Sequence, residues 1–117
     1  MNKDELLQKL DATIAEAENW PVKGWKIEFG PYRNPICSLK EAEELPEEAH
    51  NRLEAINYWA IVKRTGEETV AYGKKARAAL EAGDVDGAKK SVYFSMFKEK
   101  QLLERTTTWG PIFQALS

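Results

Sequence analysis

The feature that most constrains this fold is Ala82-Gly83-Asp84, a stop and restart between two stretches that strongly favour helix. Before it, Lys74 to Ala82 reads KKARAALEA, among the best helix-forming stretches of the chain. After it, Val85, Ala88, Val92, Met96 and Leu103 recur at helical steps, with Tyr93, Phe94, Phe97 and Leu102 alongside. A glycine just past a helix end readily takes the left-handed conformation, and Asp84 or Asp86 can cap the helix that follows. Helices over 47–82 and 85–106 are expected, the second lying centrally because its apolar arc is wide.

Upstream, Leu6, Leu7, Leu10, Ile14 and Ala17 predict a helix over 3–19, ended by Pro21. Trp25 to Phe29 then alternates apolar and charged residues between Gly24 and Gly30-Pro31, as a half-buried strand does. Its only nearby partner, Tyr32 to Leu39, is interrupted by Pro35, so this region is either a small hairpin or an irregular extended loop. Ser38-Leu39-Lys40-Glu41 fits a capping box, and Pro46 with Glu47 and Glu48 suits the first turn of the long helix. Ala49, Leu53, Ile56 and Ala60 form its expected apolar stripe, widened by Tyr58, Trp59 and Ile61. Tyr58 to Tyr72 also has the look of a hairpin turning at Gly66, but Ala60, Ala71 and the helical flanks favour one helix. Gly66 and Gly73 would then share a face open to close approach by another helix.

The expected fold class is mostly α: a small helical bundle with a long antiparallel helical hairpin and one short β-strand or hairpin near the N-terminal third. A chain of 117 residues fits one domain, with helix over 1–20, strand or loop over 21–45, the hairpin over 46–106 and an apolar tail over 107–117. Ala76 to Leu103, with Ala-Leu-Glu-Ala-Gly-Asp followed by Ala88, resembles the turn of a tetratricopeptide-type helix pair. The resemblance implies the antiparallel geometry and no function, since such repeats need about three units to be stable.

Several function classes fall away. No apolar run approaches the ~20 residues of a membrane span, and the charged start Met1-Asn2-Lys3-Asp4-Glu5 is unlike a secretory signal, so a cytoplasmic protein is expected. Cys37 and His50, each the single residue of its type, cannot make a zinc, haem or iron–sulfur site. A small buried thiol is the expected role of Cys37, rather than a thiolate paired with His50. Neither glycine-rich phosphate-cradling pattern nor a serine-hydrolase elbow occurs, so no enzyme, cofactor or metal is expected. Residues 1–59 carry −5 and residues 60–117 carry +3. The bases of the second half alternate with Glu67, Glu68, Glu81, Glu99 and Glu104, as on a salt-laced helical surface. With a pI near 5.5, this does not suit a binder of duplex nucleic acid.

Three groups remain as candidate sites. Lys63, Arg64, Lys74, Lys75 and Arg77, with Lys89 and Lys90 across the turn, could form a basic rim around Tyr72 that takes a nucleotide or other small anion. Glu43, Glu44, Glu47 and Glu48, beside Glu41, form an acidic helix start able to meet a basic partner. Trp109, Ile112, Phe113 and Leu116 make an apolar tail that either folds back on the helices, the commoner outcome, or stands out as a protein-binding anchor. The expected function is a non-enzymatic protein-binding module, acting as adaptor, inhibitor or subunit; the alternative is a nucleotide or small-ligand binder using the basic–aromatic rim. In general profile the chain resembles small phage or mobile-element accessory proteins, including inhibitors of bacterial defence systems. A homodimer through the long helix or the tail is also expected.

Overall fold

The computed structural model describes residues 2–23, 27–29, 34–36, 38–49 and 52–117. Its elements are α1 (Lys3–Glu18), α2 (Trp20–Lys23), β1 (Ile27–Phe29), β2 (Asn34–Ile36), α3 (Leu39–Glu44), α4 (Arg52–Glu81), α5 (Val85–Leu103) and α6 (Gly110–Ala115). The protein is mostly helical, as expected. The chain gathers into two compact units, Met1–Glu18 with Thr65–Ser117, and Asn19–Arg64.

The first unit is a helical bundle. Asn2 opens α1 by accepting the Glu5 amide at 2.8 Å, and Leu6, Leu10, Ile14 and Ala17 bury the predicted stripe. α1 lies against α4: Lys3 Nζ donates to the Glu81 carbonyl at 2.6 Å, a cation where the negative end of the α4 dipole favours one. Gly83 takes φ +83°, with its amide donating to the Leu80 carbonyl and the Asp84 amide to that of Ala79. These two bonds satisfy carbonyls that the end of α4 would otherwise leave open. Asp84 then caps α5 by accepting the Gly87 amide at 2.8 Å. The antiparallel pairing of α4 and α5 holds, fixed inside by the Ser95 hydroxyl donating to the Thr69 carbonyl at 2.8 Å.

Two expectations for α5 are corrected. The helix ends at Leu103 rather than 106, because Glu104 turns left-handed at φ 55°. Its buried face is Ala88, Val92, Ser95 and Glu99, while Tyr93, Phe94 and Phe97 are exposed. The small side chains, with a serine that bonds across to α4, allow a close helix approach that three rings would prevent. Glu99, expected on a salt-laced surface, is fully buried. Its carboxylate accepts the amides of Thr108 at 3.1 Å and Trp109 at 3.0 Å, with Arg105 Nε 3.5 Å away. That bracket folds the chain back into α6, which packs on α5 and α1. Trp109, Ile112 and Leu116 are buried, so the tail is docked. The face at Gly73 is filled from within the unit by Trp109 and Ile14.

In the second unit, α1 has stopped at Glu18, yet Pro21 does not end helical structure as predicted. It sits in the first turn of α2, where a missing amide costs nothing. Of the two expectations here, one short strand or a hairpin, the single strand is not supported: β1 and β2, three residues each, pair antiparallel with Ile27 opposite Ile36 and Phe29 opposite Asn34. Ser38 caps α3 by accepting the Glu41 amide at 3.2 Å, as its capping box predicts. Leu45, extended before Pro46, ends α3. α4 starts at Arg52 rather than 47, because Pro46 to Ala49 forms a turn closed by the Ala49 amide on the Pro46 carbonyl. The inward side chains of α4 here are Ala55, Trp59 and Val62; of the predicted stripe and the residues widening it Trp59 alone is buried, and Leu53 is 69% exposed. The Trp59 ring offers more apolar area to bury than Leu53, and it sets the rotation of the helix. The expectations for Gly24, Trp25, Gly30, Pro31, Tyr32, Cys37 and His50 lie outside the described residues.

Candidate functional site

Turning Ala88, Val92, Ser95 and Glu99 inward leaves the aromatic side of α5 outward. Tyr93, Phe94 and Phe97 are 45%, 40% and 47% exposed, unusual for three large rings on one helix. They form one connected surface. Tyr72 of α4 stacks on Phe94 at 5.4 Å between centroids, Tyr93 stacks on Phe97 at 6.3 Å, and Phe113 of α6 lies 5.9 Å from Tyr93. Tyr93 and Phe94, neighbours in sequence, meet edge to face at 6.1 Å. The ammonium of Lys89 sits over the Phe113 ring, 5.3 Å from its centroid. Three helices thus hold five aromatic side chains in mutual contact, each ring restrained by the next.

The residues expected to form a basic rim around Tyr72 come from both units. Lys63 and Arg64 belong to the Asn19–Arg64 unit, whereas Tyr72, Lys74, Lys75 and Arg77 belong to the other. The Tyr72 ring is stacked on Phe94. Arg77 hydrogen-bonds Asp11 at 2.7 Å and Glu81, and those bonds, that to Asp11 foremost, hold its pKa above the ordinary value. Lys74 and Lys75 remain exposed beside them.

Of the tail candidates, Trp109, Ile112 and Leu116 are core residues and offer no surface, because the Glu99 bracket seats them inside the unit. Phe113 alone of the four joins the aromatic face. The acidic candidates Glu43, Glu44, Glu47 and Glu48 are exposed, with Glu44 4.0 Å from Lys40. Glu43 and Lys63, assigned to different sites from sequence, meet at one cleft of 360 Å³ lined also by Pro21, Val22, Ser38, Leu39 and Lys40. Among the described residues no group of histidine, cysteine or acidic side chains is arranged to hold a metal ion, and no helix is long and apolar enough to cross a membrane.

Sequence reasoning missed the outward turn of Tyr93, Phe94 and Phe97. The signal was present: Ala88, Val92, Ser95 and Glu99 step by four, three and four, a full inward stripe of their own. A second stripe beside it was more apolar area than one face could bury. No protein-family model, curated protein or solved structure matches the chain.

Proposed function

We propose that this chain is a non-enzymatic protein-binding module that engages its partner through Tyr93, Phe94 and Phe97. The observation that carries the reading is the connected aromatic face, exposed on a helix whose opposite side is locked into the core. Large rings left in water on a rigid element are costly unless something covers them, and aromatic side chains dominate the energetic centres of protein interfaces. Preorganised rings also lose little freedom on binding. An adaptor, a subunit and an inhibitor all fit such a face; the small-accessory-protein profile of the sequence favours an inhibitor acting in the cytoplasm.

Part of the surface first assigned to a homodimer is occupied within the chain. Gly73 is covered by Trp109 and Ile14, and Trp109, Ile112 and Leu116 of the tail are buried, while Phe113 joins the aromatic face. A nucleotide-binding role loses two of its principal groups, the open ring of Tyr72 and the guanidinium of Arg77, to contacts inside the unit.

A photo-crosslinking residue at Phe97, compared with one at exposed Glu16 on α1, tests the proposal in host lysate. Discrete adducts at Phe97 alone, lost when Phe94 is also changed to alanine, are expected. Equal labelling at both positions, with helical dichroism intact, would overturn it.

A further inference from the structure

We infer that the partner segment seated on this face is acidic as well as apolar: a short amphipathic helix whose carboxylates meet the lysines around the rings. The inference rests on the proposed protein-binding role and adds the chemical class of the partner. α5 carries four lysines, Lys89, Lys90, Lys98 and Lys100, against the acids Asp86 and Glu99. Glu99 is buried and turned to Thr108 and Trp109, so it does not offset them at the surface.

The lysines are placed by helix geometry. Lys90 precedes Phe94 by four residues and Phe97 by seven, and Lys100 follows Phe97 by three and Tyr93 by seven, so both share the aromatic side of the helix. Both are exposed. Lys89 adds a third cation over Phe113. Lys98 pairs with Glu68 of α4 at 2.7 Å, on the border of the face. Asp86 at the first turn and Glu104 at the last lie beyond the lysines at either end. The apolar centre is therefore bracketed by positive charge on a chain whose net charge is −2.

The same combination of rings and lysines could serve a nucleic-acid strand, but the ring geometry favours a peptide. Base stacking needs open ring faces. Here Tyr72 and Phe94 lie 28° from parallel on each other, and Tyr93 and Phe97 20°, so each of these rings already turns one face to a neighbour. Rings at mixed angles (28°, 67°, 20° and 51° between neighbours) make an uneven apolar surface rather than a row of parallel platforms, suited to aliphatic or aromatic side chains at i, i+3, i+4 and i+7 of a helix. Carboxylates on the flanks of that helix would meet Lys90 at one end and Lys100 at the other.

Two synthetic helical peptides of about four turns test this, alike in Leu and Phe at i, i+3, i+4 and i+7, with Glu and Asp elsewhere in one and Lys and Arg in the other. Fluorescence anisotropy against the full chain should show the acidic peptide bound. Its affinity should fall at least tenfold with Lys90→Glu and Lys100→Glu combined, fall likewise with Phe97→Ala, and weaken as salt rises. Dichroism of the lysine variant, changed only at exposed positions, checks that the fold is kept. Equal or tighter binding of the basic peptide overturns the acidic assignment while leaving a protein-binding face. Displacement of the acidic peptide by oligothymidine overturns it in favour of a single-stranded nucleic acid. Failure of both peptides, with the Phe97 crosslink present in lysate, overturns the acidic helix alone; failure of the crosslink as well removes the protein-binding reading beneath it.

Discussion

Gly73 lies directly against the indole of Trp109: a Cβ on the glycine would stand 2.6 Å from Cη2 of the ring and 2.8 Å from Cγ1 of Ile14. Three separate stretches of sequence meet there, in α1, in α4 and just ahead of α6. A helix-favouring substitution at this point works against the packing. Gly73→Ala gains about 1 kcal/mol of helix propensity. It must also displace a buried ring and a buried Ile14, and overpacking of that kind costs about 1–3 kcal/mol. A net loss is expected, read as a lower urea midpoint with the slope unchanged. A higher midpoint would mean that Trp109 can move aside at no cost.

Glu99→Ala should be among the most damaging single changes. It strips the acceptor from two backbone amides at buried Thr108 and Trp109, at a cost of about 1–3 kcal/mol for each group left unsatisfied. Glu99→Gln keeps one acceptor oxygen and should lose less. Amide exchange decides between local and global effects: the Thr108 and Trp109 amides should lose protection first, ahead of those in α1.

Gly83→Val isolates backbone strain from packing. Nothing lies within 4 Å of a Cβ at this position, so the whole penalty comes from φ +83°. A loss of about 1–2 kcal/mol is expected, with Gly83→Asn clearly milder because asparagine tolerates this region. Equal midpoints for the valine variant and the natural chain in chemical denaturation would contradict the turn.

Removing residues 109–117 should unfold the first unit rather than merely shorten it. Trp109, Ile112 and Leu116 are buried side chains worth about 1.5–3 kcal/mol each, comparable in sum with the stability of a small domain. Light scattering of the intact chain should give a single 13.3 kDa species, since Trp109, Ile112 and Leu116 of the tail and the Gly73 face are occupied internally. A dimer that survives Phe97→Ala would point to another interface.

What could be read from sequence was the local part. Ser38 with Glu41, Gly83 with Asp84, and Leu6, Leu10, Ile14 and Ala17 behave as their spacing implies, because each depends on atoms a few residues away. The rotation of α5 was not legible. Burying Glu99 in preference to Phe97 makes sense only once Thr108 and Trp109 return with two amides to satisfy the carboxylate, and hydropathy alone ranks the two residues the other way. The aromatic face is the complement of that choice. The start of α4 was missed because Glu47 and Glu48 suit a first turn equally well as residues of the turn ahead of it.

The first unit is assembled from residues 1–18 and 65–117, with Asn19–Arg64 made between them. During synthesis, then, the apolar side of α1 leaves the ribosome long before Thr65 onward exists to cover it. Even a finished α4 and α5 leave the place of the indole open beside Gly73 and Ile14 until Trp109 arrives. Domains that form during translation can do so only as fast as their last required residues appear, at roughly 5–20 residues per second. For this unit those residues include Trp109, so its nascent form must carry Leu6, Leu10 and Ile14 in water, or in the care of a chaperone, until Trp109 has been made.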